Sequence, residues 1–438
     1  MKNNIFKIII SFFIIISLFS SLFLLNTSAY TTTDFELYAE SALLVNTDTN
    51  FVLYQKNPDK KMYPASLTKL MTALIMYENT SDIDNETVTV SEYAIKSLNG
   101  TDTVTRFKVG ETVTVRQLLN VFLIASANDG ANAIAEKLSG SIEAFVELMN
   151  KRAAELGMVN THFMNPHGLH DDNHYTTAND LLILTKKCLE IPFFKEIFKT
   201  NRYKMEATNK STATYHTNTN FLLNPNEPKY FYKYATGIKT GYTDKAGRCL
   251  ISSAEKNGYE YISIVLNCPV YQNGKKVRLE FTDTKNLFEW AFNDFQYKQI
   301  VAAGEIIGEA PVEIAKDVDH VALTSIEDFS TIVPKNSDSS TISYNIRLNS
   351  ESFDAPIKKN EILGVADVVF AGEVIGSINL VAAQDVEKSF ISQIMRATYN
   401  VFSSDVFKIL LVLAGIFILV FVIICIKMNS KKKKDNRP

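Results

Sequence analysis

Cysteine is scarce in this chain of 438 residues: there are four, and Cys425 falls inside a long apolar run. The other three, Cys188, Cys249 and Cys268, are an odd number, so no disulfide framework is implied. One bridge and three buried thiols both fit. Tryptophan occurs once, Pro 11 times and Gly 17 times, in a chain that is 46% hydrophobic and 21% charged. That balance excludes a collagen-like, low-complexity or disordered protein. Positive charge is also short. Setting aside residues 1–29, with two basic and no acidic side chains, and 405–438, with seven and two, leaves 36 basic against 46 acidic, a net charge of −10. A nucleic-acid binder needs a basic footprint to displace counterions from phosphates, so no nucleic-acid partner is expected.

Long hydrophobic runs are confined to the two ends. Lys2 and Lys7 lead into Ile8–Leu25, which gives way to Asn26-Thr27-Ser28-Ala29, a small-residue exit suited to signal peptidase. Residues 1–29 therefore read as a secretory signal, with an uncleaved anchor as the alternative. At the other end Ile409–Ile426 carries no charge, and Val406 and Phe407 extend it to the length of a tilted membrane span. Lys427, Lys431–Lys434 and Arg437 follow, and positive flanks stay cytoplasmic, which places the body of the chain outside the cell membrane.

Between these ends the texture changes once. From about Phe35 to Phe295, strand-like segments at both sequence ends enclose helical ones, which predicts an α+β domain: an antiparallel sheet joined to a helical subdomain. Ser41–Val45 and Phe51–Tyr54 read as a hairpin, Pro64 opens a helix over Ala65–Tyr77, and strand character returns at Ala235–Thr240, Gly247–Ala254 and Tyr259–Leu266. Beyond Val301, short β-branched runs predict a small β-domain ending near Asp385, and Glu387–Ser404 reads as a helical connector. The expected division is thus 1–29 signal, 30–297 main domain, 298–386 β-domain, 387–405 connector, 406–426 span and 427–438 basic tail.

Three short motifs carry chemistry. Ser66-Leu-Thr-Lys69 sets a hydroxyl and an amine at i and i+3, on one helix face. The pattern recurs at Ser253/Lys256 and Ser430/Lys433, but only here does it open a helix apolar on nearly every side, with Leu67, Leu70, Met71, Ala73, Leu74 and Ile75. Burial disfavours an ammonium, and a lysine brought down to roughly 7–8 is a usable general base. Ser126-Ala-Asn128 follows the apolar run Leu118–Ala125 and reads as a helix-to-helix turn, with a proton-carrying hydroxyl and a carbonyl-holding amide; Asn128 or Asp129 capping the next helix is the plainer alternative. Lys239-Thr240-Gly241, the only such triplet, reads as the end of a strand, where a cation, a hydroxyl and a close-approach glycine suit a carboxylate. An ordinary turn is the alternative. His162, His167, His170 and His174 cluster beside Asp171 and Asp172, but their spacing matches no zinc pattern. No metal or cofactor is expected.

The order of the three motifs is more specific than any one of them. With the phrases Tyr63–Ala73, Ser126–Asp129, Phe163–Leu169 and Thr236–Asp244, the chain resembles the membrane-anchored serine D-alanyl-D-alanine carboxypeptidases, the low-molecular-weight penicillin-binding proteins, from about Phe35 to Asp385. The resemblance implies a serine β-lactamase/transpeptidase-like fold followed by a small β-sandwich-like domain. It implies peptidoglycan stem peptides ending in D-Ala-D-Ala as substrate and β-lactams as inhibitors. It also implies Ser66 as nucleophile, Lys69 as base, and Ser126 with Lys239 as proton relay. Asn128 would hold the substrate amide, and Lys239 and Thr240 the terminal carboxylate, beside Gly241. The backbone N–H groups of Ser66 and Tyr242 would form the oxyanion hole, with Arg278 assisting at the carboxylate. A class A β-lactamase would need a Glu-x-x-Leu-Asn pattern, which the chain lacks; a catalytically silent wall-binding scaffold is the reading from another class.

Overall fold

The computed structural model describes residues 33–98, 104–337, 342–370 and 372–435; the expected signal segment lies outside them. The chain divides into two units, one holding the residues up to Lys298 together with Thr331–Ser337, the other Gln299–Ser330 and the chain beyond Ser337.

In the first unit β1 (Ser41–Asn46) and β2 (Val52–Lys56) form the expected hairpin. The sheet is completed by β3 (Ala235–Thr243), β4 (Gly247–Lys256) and β5 (Tyr259–Cys268), in the order β2-β1-β5-β4-β3. Every pairing is antiparallel, and β1 against β5 (Leu43 opposite Ile264) joins the two ends of the domain sequence. The predicted helix from Ala65 divides in two: a 3-10 turn over Ala65–Thr68, then α1 (Lys69–Glu78). Pro64 precedes the turn, where its missing N–H costs no hydrogen bond. Every residue from Lys69 to Met76 is buried, because α1 is the central rod around which the helical subdomain packs. Around it stand α2 (Val115–Ile124), α3 (Asn128–Ser139), α4 (Ile142–Leu156) and α5 (Ala178–Leu189). Thr114, Ser141 and Thr177 cap α2, α4 and α5 through their hydroxyls. The helix α6 (Leu279–Asp294) packs across β4 and β5.

Two readings of local structure are corrected. Lys239-Thr240-Gly241 lies inside β3, which continues through Thr243, because Tyr242 and Thr243 pair with Arg248 and Gly247. Neither Asn128 nor Asp129 caps α3: Ala127 holds the cap position with no side-chain bond, Asn128 is the first helical residue, and its amide is turned to another partner. Among the described residues, Cys188, Cys249 and Cys268 are free buried thiols.

The second unit has a sheet of β6 (Ile306–Glu313), β7 (His320–Ser325), β8 (Ile342–Leu348), β9 (Ile362–Phe370) and β10 (Glu373–Ala382). Their order is β8-β9-β10-β7-β6, with Phe353–Asp354 along the outer edge of β6. The helix α7 (Phe390–Ser403) buries no residue, and Arg396 ties it to Asp354 and to Glu313 (3.0 Å). It is followed by α8 (Asp405–Asp435), whose stretch Asp405–Lys427 is long and apolar enough to cross a membrane.

Candidate active site

Ser66 sits on the 3-10 turn and Lys69 opens α1, so three residues of tight helix bring the two side chains into near eclipse. Lys69 Nζ lies 2.8 Å from Ser66 Oγ, 2.7 Å from Asn128 Oδ1 and 2.7 Å from the carbonyl oxygen of His167. The lysine is fully buried, and desolvation, with the charge of Lys239 adding to it and Asp129 opposing, holds its ammonium pKa well below the usual value. The uncharged form fits these partners. An amine has two N–H groups and one lone pair; the amide oxygen of Asn128 and the carbonyl of His167 can only accept, so they take the two N–H groups. The lone pair is left for the hydroxyl of Ser66. A hydroxyl placed against the lone pair of a buried amine can pass its proton to it.

The second pair lies across the cavity. Lys239, on β3, is 1% exposed and donates to Ser126 Oγ (3.0 Å) and to the carbonyl of Thr240 (3.1 Å). Burial brings its pKa down to about 7, so near neutrality it exchanges a proton readily. Ser126 is held at φ +58° and Ala65, beside Ser66, at φ +48°, a left-handed backbone that side-chain-bearing residues rarely adopt. One strained residue is thus a serine of the cavity and the other immediately precedes one.

Several positions that carry the site were not identified from the sequence as functional. The loop from Asn165 to Leu169 supplies the His167 carbonyl, and Asn165 closes it by accepting from Gly168 N–H (2.7 Å) and donating to Leu169 O (2.9 Å). A β-carbon on Gly168 would stand 1.9 Å from the Ala65 carbonyl oxygen, so only glycine lets this loop meet the turn. Gly241 is similarly placed, since a β-carbon there would be 2.9 Å from Pro64 O. Thr72 donates to Pro166 O (2.7 Å), a second tie between α1 and the loop. His174 fixes the turn itself. Its Nδ1 accepts from Met164 N–H (3.2 Å), so Nε2 carries the proton and donates to Thr68 Oγ1 (2.8 Å), which in turn donates to Ala65 O (2.8 Å). Burial drives both His174 and His167 down to about 3, and both are neutral. The Asn-Pro-His-Gly string was the available signal for this loop; nothing local marked its target.

These groups border a cavity of about 360 Å³, lined by Ser66, Ser126, Asn128, Thr240, Gly241 and Tyr242 among others. Thr219 Oγ1 meets Thr240 Oγ1 at 2.5 Å on its wall. Arg278, just before α6, reaches the same cavity, as do Arg248 and Glu280, which sequence reasoning missed. All nine residues singled out from the sequence line this cavity or, for Lys69 and Lys239, lie directly behind it, hydrogen-bonded to Ser66 and Ser126.

Residues 27–270 match the D-alanyl-D-alanine carboxypeptidase family, and residues 295–388 match the C-terminal domain of penicillin-binding protein 5. The chain is 33% identical over 363 residues to the D-alanyl-D-alanine carboxypeptidase DacF of Bacillus subtilis, covering 80% of this chain and 86% of that one. It is 29% identical over 368 residues to the D-alanyl-D-alanine carboxypeptidase DacA of Escherichia coli, covering 82% and 87%. Penicillin-binding protein 5 from Haemophilus influenzae superposes with a TM-score of 0.63 at 29% identity, over 82% of this chain and all of that one. A buried serine–lysine pair facing a second one across a cavity, on a sheet flanked by helices and followed by a β-domain, is therefore the inheritance of a serine-type hydrolase, and the chain belongs to the D-alanyl-D-alanine carboxypeptidase family.

Proposed function

We propose that the chain removes the terminal D-Ala from peptidoglycan stem peptides through an acyl-enzyme on Ser66, and that penicillins acylate the same hydroxyl. The observation that carries this reading is the set of partners around Lys69: two fixed acceptors and one hydroxyl around a buried amine. Lys69 takes the Ser66 proton as Oγ attacks the penultimate carbonyl, whose oxygen is received by the backbone N–H groups of Ser66 and Tyr242. Ser126 and Lys239 deliver a proton to the departing D-Ala, consistent with their 3.0 Å contact. Asn128 orients the substrate amide. Lys239 and Thr240 receive the terminal carboxylate with Arg278 nearby, and Gly241 lets the strand approach. Water then releases the shortened peptide.

The domain reading is 30–297 for the catalytic part and 298–386 for the β-domain, with 387–405 joining them to a span at 406–426. The apolar α8 and its lysine-rich end support attachment to the cell membrane with the cavity on the extracytoplasmic side. Fluorescent penicillin labels the full chain covalently on this reading, and Ser66→Ala abolishes the label. Labelling that survives the substitution moves the nucleophile elsewhere. Wall fragments that bind without any release of D-Ala favour a scaffold, and rapid turnover of penicillin itself favours a β-lactamase-like hydrolase.

A further inference from the structure

The cavity wall carries an ionic group of which the proposed mechanism uses only Arg278. Arg248 on β4 and Arg278 before α6 both face Glu280, at 3.6 and 3.7 Å. These are ion pairs and not hydrogen bonds, since neither distance allows one. The Glu280 side chain is 2% exposed, Arg248 7% and Arg278 37%. Among the described residues, Arg248 Nε and Glu280 Oε2 are buried without any hydrogen-bond partner. Two guanidinium groups share one carboxylate, so the wall holds an excess of positive charge in a largely dry place. Buried charge is costly unless it is paired, and a purely structural cluster closes its hydrogen bonds. An open one with spare donors, on the wall of the catalytic cavity, is built to be completed by an anion.

Position distinguishes the two arginines. Arg248 stands opposite Tyr242 in the β3–β4 register, and its guanidinium lies over the Tyr242 ring, 5.1 Å from the centroid. It is thus held next to the strand that carries Lys239 and Thr240. Arg278 is turned onto the Phe221 ring, 4.4 Å from the centroid, and is five times more exposed. Lys239 is a poor sole partner for a carboxylate, because burial leaves it only partly charged near neutrality, whereas a guanidinium is always charged and meets a carboxylate with two parallel N–H groups.

We propose that Arg248 is the specificity-determining residue of this cavity, its guanidinium selecting substrates that end in a free carboxylate, with Arg278 sharing the load across Glu280. The proposal rests on the carboxypeptidase reading and adds a residue to it. The test uses the full chain in detergent micelles with two substrates, a diacylated Lys-D-Ala-D-Ala tripeptide and its C-terminal carboxamide. The unaltered protein prefers the acid in kcat/KM. Arg248→Ala lowers that preference at least tenfold, acting on the acid and sparing the amide, and Arg278→Ala lowers it less. Arg248→Lys, which keeps the stem and the charge but not the fork, lowers it at least threefold. Phenylboronic acid, a serine-directed ligand with no carboxylate, reports the integrity of the site, and its Ki in Arg248→Ala stays within twofold. An acid preference retained in both Arg248 variants, or lost more in Arg278→Ala, overturns the proposal. Boronate binding that is unchanged by Ser66→Ala instead overturns the nucleophile assignment and leaves the role of Arg248 to be read from the acid-to-amide ratio.

Discussion

Lys69 and Lys239 are the same residue type at the same depth, and their neighbours separate their chemistry. Lys69 has two obligate acceptors and a hydroxyl; Lys239 has one hydroxyl and one carbonyl. On the proposed reading Lys69→Ala slows acylation by labelled penicillin by about 10²–10⁴-fold, the usual worth of a positioned base. The melting temperature does not fall in proportion, because the substitution also removes a buried amine. Near-normal acylation would place the base elsewhere. The titration of Lys239 has a definite sign. The unfolded chain keeps its proton up to 10.5 and the native one releases it near about 7, so between these values the unfolded chain binds more protons and stability rises with pH. Below that window the native fold carries the cost of the buried charge. Lys239→Met is accordingly most stabilising at about pH 6, and its advantage shrinks by up to a few kcal/mol towards pH 10. Denaturant unfolding at both ends of the range measures this; a difference that does not change with pH removes the burial argument. The Ser66 and Lys69 pair was legible in the sequence because their helix is apolar on all sides. Arg248 and Glu280 were not, because 31 residues separate them and only the meeting of β4 with α6 makes them neighbours.

Two elements outside the three motifs hold the serine turn and the Ser126 turn in place. The Asn165–Leu169 loop meets the turn at Gly168, where an added β-carbon would overlap the Ala65 carbonyl and stand 3.0 Å from Ser66 N at φ +87°. Gly168→Ala is expected to destabilise the protein by about 3 kcal/mol or more and, on the proposed reading, to slow acylation at least about 100-fold, since the backbone beside Ser66 must shift. Thermal melting and penicillin labelling read the two effects separately; normal labelling would mean that the loop does not set the turn. On the other side, Asp129 Oδ2 accepts the backbone N–H groups of Arg106 and Phe107 at 2.7 Å each, and Asn128 N–H donates to Val104 O (2.6 Å). Asp129→Ala strands two donors, at roughly 1–3 kcal/mol for each, and Asp129→Asn, which keeps an acceptor, recovers most of the loss. Equal loss in both variants would show that charge and not acceptance matters there. At this scale the sequence placed the elements well and their ends less so. The Lys239 triplet lies within β3 because Tyr242 and Thr243 are good strand formers that find partners in β4, a pairing that no local signal announces.

For the whole molecule, the chain ends are the test. Removing residues from Asp405 onward takes away the helix apolar enough to span a bilayer, and further removal from Phe390 takes away an amphipathic helix whose Phe390, Met395 and Phe402 are 76%, 67% and 58% exposed. A chain ending at Lys388 is expected in the soluble fraction, acylated by penicillin within about twofold of the full-length rate, because every residue of the proposed site belongs to the first unit. Continued sedimentation with membranes would locate the attachment elsewhere, and a large loss of acylation would make the site depend on the removed helices.

The amino-acid sequence by itself determined the long apolar helix at the C-terminal end, the mixed α and β domain followed by a β-rich one, the buried serine–lysine helix and the three motifs. Each is a property of hydrophobic period, run length or local spacing, which one dimension contains. Tertiary structure alone decided which carbonyl completes the shell of Lys69, why Gly168 must be glycine and which arginines meet across Glu280. Those contacts join segments about 30 to 100 residues apart, and the packing of α1 against the Asn165–Leu169 loop and of α6 against β4 brings them together.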